Sequence, residues 1–379
     1  MLVPSPRGEV EPFRVMQILG KAQQREDALL LCVGQPRAGA PGPVLAAASE
    51  ALVGASLGYT ATLGLPELRA AIARWHAHTY GTPTRAEQVV VTTGSSGGFV
   101  AAFLALLSPG DAVALARPGY PAYRNTLHAL GAEVVELDCG PETRYQPTVE
   151  HLEACGRELK MVIVTSPDNP TGTIIDPAEL QRIARWCERR DVVLLSDEIY
   201  HGISYGQTTA TARQFSPEAI TVGSMSKFFC MTGWRLGWLI MPEHLVETFD
   251  NLQANLALCP PAIAQHAALA AFTPDSLSEL RSHVREYAET RDYLTAELPK
   301  LGLGSFAPPD GGFYLWVDVS HLTDDSEAWA ADLLEETGVA VAPGKDFDTT
   351  SGHKFIRISF CISLEQARQA VVRLAEWLG

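Results

Sequence analysis

Between Leu65 and Asp197, short apolar runs take turns with longer stretches of helical periodicity: PELRAAIARWHAHTY, VVVTT, GGFVAAFLALL, AVALA, AYRNTLHAL, EVVEL, MVIVTS, AELQRIARWCERR and VVLLSD. A strand that alternates apolar and polar residues can leave one face in water, but a run of Val, Leu and Ile needs cover on both faces. Each run is bounded by Gly, Pro, Asp or Ser, which supply the turns. The pattern predicts an α/β large domain, a mostly parallel sheet flanked by helices.

Further on the pattern changes. SELRSHVREYAETRDYLTAELPKLG predicts a helix of several turns. FYLWVDV, VAVAP and FIRISF then read as strands of a smaller sheet, with SEAWAADLLEETG and LEQARQAVVRLAEWL as amphipathic helices. At 379 residues the chain is also longer than one hydrophobic core usually supports. The expected organisation is an N-terminal arm with part of the small domain over 1–44, a large domain over 45–280, and a smaller α+β domain over 281–379.

Charge and composition narrow the function. There are 29 basic and 44 acidic side chains, a formal net charge of -15, which repels polyanions and argues against a nucleic-acid partner. No apolar run has the length of a membrane span, and the opening MLVPSPRGEVEPF lacks the apolar stretch of a secretory signal, so no membrane association and a cytoplasmic location are expected. The seven cysteines stand singly, without CxxC spacing, and no metal site is expected.

The chemistry-bearing stretch is Ser224-Met225-Ser226-Lys227-Phe228-Phe229-Cys230-Met231-Thr232-Gly233-Trp234-Arg235-Leu236-Gly237. A lysine sits between hydroxyl residues, among apolar side chains that favour its desolvation, with an arginine eight positions on. A desolvated lysine is a nucleophilic amine, and serine with arginine suits a phosphate. This stretch resembles the lysine region of class I aminotransferases of pyridoxal phosphate fold type I. The resemblance continues in the family's order over roughly residues 30 to 360.

The resemblance implies pyridoxal 5'-phosphate as cofactor, held by Lys227 as a Schiff base, with Ser224, Ser226 and Arg235 at its phosphate. In VVVTTGSSGGFVAAF, Ser95 and Ser96 begin a helix whose free N–H groups suit an anion, and they become phosphate contacts too. Tyr120 of RPGYPAY is implied as the residue stacked on the ring, and Asn169 of SPDNPTG as donor to the ring oxygen and substrate contact. In SDEIY, Asp197 is implied to face the pyridine nitrogen and Tyr200 the ring oxygen, while Glu198 reads as a structural acid. Lys227, Asp197 and Tyr200 form the implied catalytic set.

Arg357 of HKFIRISF is implied to bind the substrate carboxylate, with the backbone near Gly34 of LCVGQP. Tyr59 of GYTATLGLPELRAAIA is implied to reach the cofactor phosphate of a second subunit, so that a homodimer shares its two sites. The activity implied is transfer of an amino group from an L-amino acid to a 2-oxo acid through the Lys227 aldimine. A carbon–sulfur lyase on the same scaffold is the alternative. A transcription regulator would need a basic helix-turn-helix block, which is not seen, and an inactive scaffold would not carry this whole polar set. Side-chain preference stays open between acidic and neutral donors, with Arg37 a positional candidate for a distal carboxylate.

Overall fold

The computed structural model describes residues 3–54 and 57–379. The arm helix Arg14–Ala22 and a two-residue strand β1 (Leu29–Leu30) precede the large sheet. That sheet contains β2 (Val89–Thr92), β3 (Ala112–Arg117), β4 (Glu133–Asp138), β5 (Met161–Thr165), β6 (Val193–Asp197), β7 (Ile220–Ser224) and β8 (Gly237–Ile240), in the order β2-β8-β7-β6-β5-β3-β4. β7, β6, β5, β3 and β4 are parallel, and β8 is antiparallel to both β7 and β2. Six strands therefore share one direction and β8 alone opposes them.

Both faces of the sheet are covered, as its apolar runs require. Phe99, Phe103, Leu127 and Phe249 pack on one side, and Leu180, Ile183 and Trp186 on the other. Five of the seven strands coincide with the apolar runs. β7 and β8 do not stand out in sequence, because each contains a glycine, which ordinarily weakens a strand. Here the glycines permit close approach: a Cβ at Gly223 would lie 2.1 Å from the Trp238 ring, and one at Gly237 would lie 2.5 Å from the Ser95 nitrogen.

The smaller sheet has the order β11-β12-β9, from β9 (Tyr314–Asp318), β11 (Ala342–Pro343) and β12 (Phe355–Ser359). VAVAP divides between two partners. β10 (Val339–Ala340) pairs in parallel with β1, while β11 pairs antiparallel with β12, so one apolar run turns a corner and serves two sheets. The pairing of β1 with β10 brings the chain's beginning onto this layer. Val15, Ile18 and Ala22 of the arm helix join Trp316, Leu334 and Phe347 in one apolar cluster.

Helix Pro274–Glu297 links the layers, its 24 residues running across position 280. The last helix, Leu364–Leu378, starts with a capping box in which Ser363 Oγ accepts from the Gln366 N–H at 3.1 Å and Gln366 Oε1 accepts from the Ser363 N–H at 3.1 Å. Such a cap contributes about 1 kcal/mol.

Candidate active site

The six co-directional strands end at one edge, where α/β sheets collect their ligands, and the loops leaving them enclose a cavity of about 260 Å3. Ser95 and Ser96 follow β2, Tyr120 follows β3, Asn169 follows β5, Asp197 ends β6, and Ser226 and Lys227 follow β7. Gly34, Tyr314 and Arg357 close the cavity from the smaller sheet, and Phe13, Val15 and Met16 from the arm.

Lys227 Nζ donates to the Gly34 carbonyl at 2.7 Å and stands 5.6 Å from the Tyr200 ring centre. Burial pushes its ammonium down to about 8, and Arg357 and Arg235 push the same way. The approach to Gly34 depends on that residue having no side chain, because a Cβ there would fall 1.6 Å from Tyr314 Oη. That hydroxyl is bonded to Tyr200 Oη at 2.8 Å, so Gly34, Tyr314 and Tyr200 form one layer beneath the lysine.

Asp197 is buried at the end of β6. Its Oδ2 accepts from the Tyr123 hydroxyl, and its Oδ1 accepts from the Ile199 N–H at 3.1 Å. Burial pushes the carboxyl up to about 6, while these donors and the nearby Lys227 oppose the rise. At neutral pH it is therefore a buried carboxylate facing the cavity, suited to a cationic nitrogen.

Arg357 is 3% exposed. Its Nη1 donates to Asn169 Oδ1 at 2.7 Å and its Nη2 to the Cys32 carbonyl at 2.6 Å, while the guanidinium lies 4.3 Å from the Tyr314 ring centre and 4.6 Å from that of Phe347. Nε is buried without a partner, and a buried cation with unused donors is a receptor for an anion. Because Asn169 Oδ1 faces the guanidinium, its amide nitrogen is left as the donor toward the cavity.

At the other end, helix Gly94–Leu106 presents the unpaired N–H groups of its first turn. Arg235, in a left-handed conformation with φ 52°, lies against it and donates through Nη1 to the Thr232 carbonyl at 3.0 Å. A Cβ on Gly94 would fall 2.6 Å from Arg235 Nη2. Two glycines thus let a guanidinium and a strand end, at Gly237, crowd onto one helix terminus, forming a cradle for a phosphate.

The cavity brings together Gly34, Ser95, Ser96, Tyr120, Asn169, Asp197, Tyr200, Ser226, Lys227, Arg235 and Arg357. Ser224 and Arg37 do not line it, and Tyr59, expected at the site of a second subunit, is at the surface. Ser224 is buried behind the strand end, where its Oγ accepts from the Ser226 N–H at 3.0 Å. Tyr59 is 84% exposed, and Arg37 points away, 3.5 Å from Glu286 on helix Pro274–Glu297. Glu198 is a buried structural acid whose Oε1 accepts from Thr211, Ala212 and Ser196.

Tyr123 and Tyr314 were not singled out by sequence. Tyr123 lies three residues after Tyr120, in the first turn of the helix that Tyr120 precedes, which is the only local signal. Tyr314 sits in an apolar strand where nothing distinguishes it from core. The spacing His76-Ala77-His78 is that of a metal-ligand pair, yet His76 is bonded to Thr84 and Thr211 while His78 is exposed on the other side of its helix. Among the described residues no cluster of three or more His, Cys, Asp or Glu is arranged to hold a metal ion.

A mixed seven-stranded sheet with helices on both faces, and this cavity at its strand ends, defines an α/β enzyme of pyridoxal phosphate fold type I. The family Aminotransferase class I and II matches residues 26–374, and the chain belongs to it. It is a transaminase: it is 49% identical to the valine–pyruvate aminotransferase of Mycobacterium tuberculosis, over 98% of this chain and 97% of that protein. Against the aspartate/prephenate aminotransferase of Thermus thermophilus the identity is 35%, over 98% and 97%. The crystal structure of an aminotransferase from Mycobacterium tuberculosis superposes with a TM-score of 0.97 at 47% identity, covering 100% of this chain and 99% of that one. That of Thermus thermophilus aspartate aminotransferase with maleate gives 0.93 at 32% identity, covering 99% and 100%. These likenesses favour amino-group transfer over the carbon–sulfur lyase alternative.

Proposed function

We propose that this transaminase uses pyridoxal 5'-phosphate, held covalently at Lys227, to move the amino group of a neutral, apolar L-amino acid to a 2-oxo acid such as pyruvate. The observation that carries the substrate class is the accounting of cations around the cavity. Lys227, Arg235 and Arg357 are the lysines and arginines that line it among the described residues. Each has a task, as amine, phosphate partner and α-carboxylate partner. Within one chain none is left for a second carboxylate, and Arg37, at the surface, lies 3.5 Å from Glu286. The wall opposite the catalytic layer is Phe13, Val15, Met16 and Val33. A valine–pyruvate aminotransferase among the relatives agrees with this reading.

The residues fit the cofactor. The Gly94–Leu106 helix terminus, Ser95, Ser96, Ser226 and Arg235 would hold its phosphate, Tyr120 its ring face, Asn169 and Tyr200 its ring oxygen, and Asp197 its nitrogen. Bound there, pyridoxal phosphate supplies a carbonyl for amines and a cationic ring that accepts electrons from the substrate α-carbon. The chain's own work is acid–base and electrostatic. Lys227 Nζ, with its proton affinity lowered, carries a proton to and from the α-carbon. Asp197, kept ionised by Tyr123 and the Ile199 N–H, holds a proton on the ring nitrogen. Arg357 fixes the α-carboxylate through its unused donors, with the Asn169 amide beside it.

A homodimer with shared sites belongs to the same proposal. Tyr59 is exposed, as are Leu45, Leu52, Leu57, Leu256 and Leu258, which leaves them free to meet a second copy. On this reading Tyr59 of a second copy meets the phosphate end of the site. The division at 1–44, 45–280 and 281–379 and a cytoplasmic location complete the reading; among the described residues no helix is long and apolar enough to cross a membrane. A screen of amino donors against pyruvate and 2-oxoglutarate tests the substrate class. Preference for aspartate or glutamate over valine overturns it.

A further inference from the structure

Asp346 does not face the cavity, yet it and its neighbour Phe347 are tied to the three walls that surround the cavity's apolar end. The Asp346 side chain is 1% exposed. It accepts from the Arg14 N–H at 3.1 Å and the Val15 N–H at 2.8 Å, and its Oδ1 lies 3.5 Å from the Arg14 guanidinium. The arm helix has no cap of its own, because Phe13 occupies its N-cap position. Asp346 supplies, from far along the chain, the acceptors that the first turn lacks.

The other two walls meet at the same point. The Asp346 carbonyl accepts from Arg124 Nη2 at 3.1 Å, on the helix Pro121–Leu130 that contributes Tyr123 and Thr126 to the cavity. The Phe347 carbonyl accepts from the Gly119 N–H at 2.9 Å, next to Tyr120, and its ring lies under Arg357. Phe13 in turn meets Tyr120 edge-on, with ring centres 6.1 Å apart.

We infer that Asp346 is a positioning residue for side-chain selection: by capping the arm helix it sets Phe13, Val15 and Met16 as the apolar wall against which a substrate side chain packs. Arg357 reads the α-carboxylate and the arm reads what lies beyond the α-carbon, with Asp346–Phe347 holding the two at a fixed separation. Met16 is 53% exposed and Val15 is buried, so the wall has apolar surface to cover on a firm base. This inference rests on the neutral, apolar donor proposed above.

The test compares alanine, 2-aminobutyrate and valine as donors to pyruvate. In the wild type kcat/KM rises along the series by about fourfold per added carbon, the factor for burying one methylene. Asp346→Asn keeps the volume but turns an amide N–H toward a backbone donor, releasing the helix start. The variant is expected to lose at least half of that rise, to about twofold or less per carbon, while alanine turnover and cofactor affinity stay within about threefold of wild type. Phe13→Ala, which leaves the cap intact, should flatten the series in the same way, and the double variant should be no flatter than either.

A loss that is equal for alanine and valine marks Asp346 as a structural cap and overturns the inference. So does an undiminished rise in Phe13→Ala, which decides the matter if Asp346→Asn does not fold. A wild type that shows no rise along the series overturns the substrate reading and this inference together, whereas a wild-type rise that Asp346→Asn retains overturns the inference alone.

Discussion

Replacing Arg357 by lysine keeps a cation on β12 but removes the planar fork. The guanidinium spends one N–H on Asn169 Oδ1 and one on the Cys32 carbonyl, and is sandwiched between Tyr314 and Phe347. Of its five N–H groups, three remain to meet a carboxylate, including the unpartnered Nε. A lysine with three donors on one atom cannot serve Asn169 and Cys32 and also grip both carboxylate oxygens. At least one charge-assisted bond to substrate is lost, about 1.5–3 kcal/mol, which lowers kcat/KM for valine by about 10- to 150-fold. Arg357→Ala should cost more, about 2–5 kcal/mol, because it leaves the substrate carboxylate unpaired in a buried site.

The assay is the single-turnover half-reaction followed by absorbance, with valine and with isobutylamine, which has the same side chain but no carboxylate. The valine rate constant should fall and the isobutylamine rate constant should hold within about twofold. Cofactor affinity should fall much less than the valine rate constant, since Arg357 touches the proposed ring-oxygen contact Asn169 but none of the proposed phosphate contacts. Equal losses for the two donors, or loss of cofactor binding, would refute the role drawn for Arg357.

Borohydride reduction of the yellow protein followed by peptide mapping should place the label on Lys227, and Lys227→Ala should abolish both label and turnover; a label on any other lysine overturns the assignment. In cofactor-free protein, the rate at which an amine-reactive probe modifies Lys227 should rise with pH through about 8, where burial places its titration, and a midpoint near that of an exposed lysine contradicts the buried setting. Mixing Tyr59→Phe chains with Lys227→Ala chains should raise activity above that of the Tyr59→Phe homodimer at equal working lysine, since only a shared site restores both residues in one place; no gain after verified exchange refutes sharing.

Glu198 is raised from 4.5 to about 8 by burial, so its contribution to stability is complete at acid pH and is lost as pH rises through about 8. Glu198→Gln, which keeps the Oε1 acceptor, should therefore gain Tm relative to wild type as pH rises from about 4.5 to about 8, with no further gain above that. A difference that does not change with pH refutes a buried proton there.

Much of this protein was legible in one dimension because the physics responsible is local. A run such as MVIVT needs cover on both faces whatever its neighbours are, and a lysine between serines and apolar residues is marked by its own flanks. Asp197 could be placed at a strand end because VVLL before it must be a strand. Sequence alone thus determined the α/β class and the edge where the site lies, and the resemblance it carries named most of the polar residues that line the cavity.

What it could not determine depends on approach through space. β7 and β8 were missed because their glycines look like strand breakers until Trp238 and the Ser95 nitrogen are seen filling the room the absent side chains leave. VAVAP reads as one strand because nothing local shows a corner at Val341. Tyr123 becomes the partner of Asp197, and Tyr314 that of Tyr200, only when a helix and a second sheet bring their hydroxyls across. Ser224, which is buried outside the cavity lining, and Asp346, which caps a helix 331 residues earlier, are the same lesson from opposite sides. Hydrogen bonds at such separations leave no periodicity in the chain, since the loop between their ends can have any composition, and only the packed structure decides which groups meet.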